Sequence, residues 1–417
     1  MTQNKYLFPF MMITSLFFMW GFVHNLDPVL IPHLKRSFSL STLQASLVDS
    51  AVFIAYFVMA LPAGFLLKKF GYKTGIIIGL AFFALGSFLF IPAADTQLYS
   101  FFLAALFIIA CGLTILETAA NPYASLLGPA ETATFRLNFA QTFNGLAATL
   151  APVIGVKVIL IQGLSDGELS TMTAPARAVA LASEASSVKG PYLVLGCIIL
   201  VIAVIFMFLK LPEIKEEEKE IGEKKGVWHA LRHKHLSWAV TAQFFYVGAQ
   251  VCVFSFFILY ATKAAGIDQQ TAGKYAGYGM GLAFLIGRVI GTFLMKFIRA
   301  ELLLVIYAVI CVLLSASAMF TSGYVALFSV IGIAFFMSIM FPTIFSLGIK
   351  DLGADTKLGS SLIIMSIVGG AILPPVMGYI SDVTHDIQIG YIVPLICFAV
   401  VFLFGFTGHK VVPRHKI

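Results

Sequence analysis

Twelve apolar segments, none shorter than 20 residues, follow one another along the 417-residue chain. They fall at 7–33, 43–69, 73–92, 98–127, 138–162 and 191–210, then at 236–262, 270–297, 300–320, 322–348, 355–381 and 388–408. At 1.5 Å per residue each is long enough to cross a hydrocarbon core of about 30 Å as a helix. A closed barrel would show alternating segments of about ten residues, and the sequence has none. The charge supply agrees. Only 11% of residues are charged and 59% are apolar, whereas a soluble domain carries roughly 25% charge to cover its surface. These observations predict an all-α membrane protein of twelve transmembrane helices.

The polar stretch KLPEIKEEEKEIGEKKGVWHALRHK at 210–234 divides the chain near its midpoint. The expected organisation is one six-helix bundle over 1–209, a linker over 210–235 with a short amphipathic helix near Val227–Leu231, and a second six-helix bundle over 236–417. Residues 163–190, rich in Ser, Ala, Gly and Thr, read as a long connection on the opposite side. No small-residue cleavage site follows the first apolar run, so it reads as a retained helix rather than a signal peptide.

The net charge of +7 does not imply nucleic acid, because no cluster of Lys and Arg interleaves with aromatics to make a groove. The basic residues order the chain across the membrane instead. Nineteen of 27 fall on the side that holds both termini, including Lys68, Lys69, Lys73, Arg136, Lys296, Arg299, Lys350 and Lys357. Six (Lys35, Arg36, Arg177, Lys189, Lys263 and Lys274) fall on the other, and Lys157 and Arg288 lie within spans. By the positive-inside rule both termini are cytoplasmic and the chain sits in a cell membrane, the inner one in a bacterium. The five cysteines stand singly in apolar runs with no metal-ligand spacing, so neither a metal nor a cofactor is expected.

The halves echo each other. Gly112, Pro122 and Gly128 recur as Gly332, Pro342 and Gly348 at one offset of 220, and Pro152 and Gly155 recur as Pro375 and Gly378. Gly64, Lys69 and Phe70 recur as Gly291, Lys296 and Phe297. Repeated bundles of this kind are usual in transporters, which bind their solute between the repeats.

With so little charge at membrane depth, the exceptions locate the machinery. Glu117 lies mid-span, where a charge costs at least about 2.5–3.5 kcal/mol on insertion scales. Trp20, His24 and Asp27 share a face of the first helix at i, i+4 and i+7, beside Asn25, and Pro28 removes a donor that the carbonyl of His24 would otherwise receive. Gln141 and Asn144 put two amides on one face of the fifth segment. Gln243, Tyr246 and Gln250 repeat that spacing in the seventh. Amides match the hydroxyls of a sugar, although they also join helix to helix. Asn121 lies one turn beyond Glu117. Arg288 has either a carboxylate or helix-terminal carbonyls as partner.

The stretches FFMWGFVHNLDPVLIPHL, PAGFLLKKFGYKTGIIIGL, LETAANPYASLLGP and FRLNFAQTFNG resemble the fucose–glucose/galactose:cation symporter family of the major facilitator superfamily. The resemblance covers nearly the whole chain. It implies two pseudo-symmetric six-helix bundles with the major facilitator fold, alternating access, and uptake of a monosaccharide such as fucose, glucose, galactose, mannose or N-acetylglucosamine with a proton. Sodium coupling is the alternative, and a non-sugar carrier or a channel a more distant one. The implied ion-coupling residues are Asp27 and Glu117. Trp20, His24, Asn25, Asn121, Gln141, Asn144, Gln243, Tyr246 and Gln250 are the expected sugar contacts. The family's first-helix Asp register is filled here by Pro28, with Asp27 one place earlier, and His24 replaces an amide. The expected protein is a monomer in the bilayer, not an enzyme.

Overall fold

The computed structural model describes residues 4–26, 47–159, 171–212 and 226–411, together with residues 30, 34, 37, 38 and 44. Among them the chain is helical nearly throughout. Backbone polar groups have no water to bond in a bilayer core, and helices satisfy them within each segment.

The order is α1 Asn4–His24, α2 Leu47–Thr96, α3 Tyr99–Leu126, α4 Ala133–Ile159, α5 Ala174–Ser186 and α6 Lys189–Phe208. After the short α7, Val227–Ala230, come α8 Lys234–Ser255, α9 Phe257–Ala264, α10 Gln269–Lys274, α11 Gly281–Leu294 and α12 Ala300–Phe320. The chain continues with α13 Gly323–Met337, α14 Met340–Gly348, α15 Thr356–Met365, α16 Gly369–Thr384, α17 Ile387–Gly390 and α18 Ile392–Leu403.

Ten helical stretches among the described residues are long and apolar enough to cross a membrane. One of them, Ser50–Thr96, has 47 residues, about 70 Å of helix and therefore two spans. They join at Gly71, whose φ of 79° is open to glycine without the Cβ clash other residues meet. With the 27-residue α4 the count reaches the twelve expected from the sequence.

Several spans are broken where the sequence shows one continuous apolar run. The tenth pauses at Ser338 and Ile339 between α13 and α14, and the eleventh passes through a 3-10 turn at Ser366–Val368. The eighth passes through a π-turn at Tyr275–Met280 between α10 and α11. The long connection at 163–190 carries α5, and α7 stands where a short linker helix was expected.

The wall of the protein shows its solvent. On α4, Phe139, Phe143, Leu146, Leu150 and Ile154 are exposed at steps of three or four, a single apolar stripe facing lipid. By contrast every residue of α3 from Ile109 to Ser125 is buried. A helix that is apolar and covered all round is central. Its neighbour in α2 comes close enough that a Cβ on Gly112 would lie 2.6 Å from the backbone nitrogen of Phe83 and 2.7 Å from the Gly79 carbonyl oxygen. Small residues at such crossings let backbones meet. The crossing fixes the helix that carries Glu117.

Candidate functional site

Glu117 is buried, at 8% exposure, and accepts a hydrogen bond of 2.5 Å at Oε1 from the hydroxyl of Tyr56. Tyr56 is itself 2% exposed and comes from the first span of α2. The sequence gives Tyr56 no motif; its only mark is a hydroxyl inside an apolar run. One turn beyond Glu117, Asn121 accepts at Oδ1 from Gln141 Nε2 at 3.2 Å. The Asn121 amide nitrogen is buried with no partner among the described residues. Asn121 and Gln141 therefore meet between α3 and α4, one turn along α3 from Glu117, whose own bond is to α2.

The amides of α8 lie across from them in the chain's second half. Gln243 is fully buried, and neither of its amide atoms has a hydrogen-bond partner among the described residues. Leaving such groups unpaired costs about 1–3 kcal/mol, so a position like this suits a polar solute. Tyr246 is also fully buried, its ring edge-on to Phe341 at 6.4 Å. Gln250, two turns from Gln243, is half-buried.

At the end of α1, Asn25 donates through Nδ2 to the Gly21 carbonyl at 2.7 Å, closing the last turn of its own helix. Asn144 packs on this turn: a Cβ on Gly21 would stand 2.6 Å from Asn144 Nδ2. His24 is exposed. Trp20 is 2% exposed and tilts against Phe17 with centroids 4.2 Å apart, so its ring is part of the packing. Asp27 and Pro28 lie outside the described residues, and so does the side chain of Lys157.

Arg288 is the cation of the centre. It is 3% exposed and makes no ion pair among the described residues. Its Nε donates to the Ser338 carbonyl at 2.8 Å and its Nη1 to the Gln141 carbonyl at 2.8 Å, while the guanidinium sits 4.5 Å from the centre of the Phe284 ring. Of the two partners open from sequence, carbonyls are the ones present. The Ser338 oxygen is available because Pro342, four residues on, has no N–H to give it.

The bond to Gln141 belongs to a seam between the halves of the chain. Along one face of α4, Thr134 Oγ1 meets Ser346 Oγ at 2.9 Å and Asn138 Nδ2 donates to Thr343 Oγ1 at 3.2 Å. The Gln141 carbonyl comes next on that face. A second seam runs between α2 and α15, where Ser361 donates to the Ala60 carbonyl and Lys357 Nζ lies 5.2 Å over the Tyr72 ring. Both seams reach the end of the molecule that bears Arg136, Lys350 and Lys357, which we call the basic end.

Residues 10–357 match the family model described as the Major Facilitator Superfamily. The chain is 43% identical over 412 residues to the L-fucose-proton symporter of Escherichia coli strain K12, an alignment covering 97% of this chain and 93% of that protein. It is 40% identical over 411 residues to a glucose/galactose transporter of Brucella abortus, with 98% and 96% covered. A crystal structure of the E. coli fucose:proton symporter matches with a TM-score of 0.89 at 41% identity, covering 96% of this chain and 98% of that one. A superfamily transporter solved in its outward conformation matches with a TM-score of 0.90, also at 41% identity and with the same coverage.

Proposed function

The chain belongs to the major facilitator superfamily, and from that premise we propose that it carries a monosaccharide into the cell together with a proton. It is a membrane carrier and not an enzyme. The substrate class is a hexose or deoxyhexose, in keeping with relatives named for fucose and for glucose and galactose. The observation that carries the reading is one buried carboxyl, Glu117, placed one helical turn from the buried amide pair Asn121 and Gln141. A carboxyl beside a hydroxyl holds and releases a proton; amides exchange hydrogen bonds with sugar hydroxyls.

In this mechanism Glu117 is the proton carrier, with Tyr56 stabilising its charged form by hydrogen bonding and Asp27 as a second carboxylate. Asn121, Gln141 and Asn144 hold hydroxyls from one side, Gln243 and Gln250 from the other. Tyr246 presents a ring and a hydroxyl, and Trp20 a second ring from α1. His24 and Asn25 stand at its outer rim. The two bundles, 1–209 and 236–417 joined by the linker 210–235, rock about this centre as a monomer. The basic end is cytoplasmic, as are both termini. The seams at that end close the inward path, so the conformation faces outward; the likeness to a transporter solved in its outward conformation supports this. Coupling is then reciprocal: proton binding favours sugar binding to the same degree that sugar favours the proton.

The test uses purified protein in proteoliposomes. A thermal-shift panel of fucose, galactose, glucose, mannose and N-acetylglucosamine should give one or two stabilising sugars. Counterflow of the labelled sugar should proceed without any gradient, and uptake in sodium-free buffer should make the outside medium more alkaline. Strict sodium dependence without proton movement would refute proton coupling. Absence of counterflow for every sugar in the panel would refute the substrate class.

A further inference from the structure

Away from the central pocket, three metal-ligating side chains converge at the basic end. His229 belongs to α7, and His233, four residues on, is the extended residue that caps the start of α8. Asp355 closes the short 3-10 turn Gly353–Asp355 that leads into α15. Asp355 Oδ2 lies 2.8 Å from His229 Nδ1 and 3.1 Å from His233 Nε2, and the three ligand atoms all fall within 4.8 Å of one another. The residues that meet are more than a hundred positions apart in the chain, so the fold, not local sequence, assembles the cluster.

We infer that His229, His233 and Asp355 form a binding site for a divalent first-row transition-metal ion of the zinc class. The donor set is two imidazole nitrogens and one carboxylate oxygen, which suits zinc, with Zn–N of about 2.0–2.1 Å and Zn–O of about 2.0–2.2 Å. Ligand atoms so bonded stand a little over 3 Å apart, so the two carboxylate–imidazole spacings need to open by only a few tenths of an ångström, while the two imidazole nitrogens, within 4.8 Å of each other, adjust about the ion. The carboxylate is nearly enclosed at 4% exposure with the two imidazoles as its polar neighbours, a place where negative charge is costly and a bound cation offsets it. The imidazoles are partly open, with side-chain exposures of 21% and 18%, leaving room for water in the remaining coordination position. His235 is not a ligand: its Nε2 pairs with the Lys350 carbonyl at 2.8 Å.

The position gives the ion a role. It ties the segment that follows the inter-bundle linker to the turn at the head of α15. Two residues after Asp355, Lys357 lies over Tyr72 of the other half. An ion at the cluster therefore stiffens the base from which the α2–α15 seam is built, without touching the sugar pocket.

The experiment uses the full chain purified without a polyhistidine tag, stripped with chelator and titrated with Co2+ as a spectroscopic stand-in, then with Zn2+ in competition. One Co2+ per chain should bind with visible d–d absorption, and Zn2+ should displace it. His229→Ala, His233→Ala and Asp355→Asn should each weaken binding by at least about tenfold. Each variant should keep sugar-induced thermal stabilisation and counterflow, which shows that it has folded. Two results overturn the inference: a wild-type chain that binds no stoichiometric ion, or a triple variant that still sugar-binds and retains the same Co2+ spectrum and affinity.

Discussion

Arg288→Met removes the charged donor that spans the two halves while keeping a long apolar side chain in its place. Two hydrogen bonds disappear, but they count differently. The Ser338 carbonyl and the Phe284 ring lie in the same half as Arg288 and travel with it, so their loss affects every conformation alike. Only the 2.8 Å bond to the Gln141 carbonyl depends on the halves being together at the seam. A hydrogen bond from a charged donor contributes about 1.5–3 kcal/mol net. At about 1.4 kcal/mol per factor of ten, the ratio of parted to closed seam rises about ten- to 150-fold. The readout places cysteines at Thr134 and Ser346, whose hydroxyl oxygens are 2.9 Å apart, in a background with the native cysteines replaced. Oxidative cross-linking of that pair should slow in the Met variant, and alkylation of a single cysteine at position 134 should quicken. Arg288→Lys should recover only part of the effect, since an ammonium does not reproduce the guanidinium fork. Unchanged cross-linking and alkylation in a Met variant that still binds sugar would refute the reasoning.

Glu117→Gln should abolish accumulation driven by a pH gradient while sparing counterflow, measured in the same proteoliposomes; equal loss of both would make Glu117 a sugar contact or a structural group. Tyr56→Phe should slow gradient-driven uptake by up to about tenfold, the worth of one hydrogen bond, with sugar binding by thermal shift nearly intact. Gln243→Leu should weaken sugar affinity about tenfold while leaving the melting temperature unchanged or higher, because the unpaired amide is gone; a lower melting temperature would show the amide to be bonded within the protein. Gly112→Ala pushes a methyl into the Phe83 backbone and should cost about 1–3 kcal/mol, seen as a lower melting temperature in detergent.

The spans were legible because a bilayer imposes one requirement on every crossing, and twenty apolar residues satisfy it whatever their order. Glu117 was legible for the same reason in reverse, as an exception the membrane penalises. Tyr56 was not, since one hydroxyl in an apolar run resembles any buried tyrosine until its partner is placed. Arg288 stood out as a charge, but nothing in the sequence says which main-chain oxygens it meets. The interruption at Ser338 does have a signal: in GIAFFMSIMFPTIFSLG, Pro342 lies four residues on and can offer the Ser338 carbonyl no N–H, the relation also present between His24 and Pro28. Trp20 was expected to face the sugar, and its packing on Phe17 places most of the ring in the core. The link between His229, His233 and Asp355 depends on tertiary proximity and has no signature beyond a four-residue histidine spacing.

The fully enclosed middle of α3 bears on how the protein is made. A helix whose middle touches no lipid in the finished molecule still has to enter the membrane during synthesis, and this one brings a carboxyl and an amide with it. Alone in lipid, those groups would oppose insertion by several kcal/mol. The chain emerges in an order that relieves this: both spans of α2, carrying Tyr56 and the Gly79 contact, precede Glu117, and Gln141 follows Asn121 by the next span. Assembly in the ribosome's direction thus offers the carboxyl its hydroxyl before it arrives. Circular permutation that delayed α2 until after α3 would strand Glu117 at the translocon, and lower membrane yield would be the first sign.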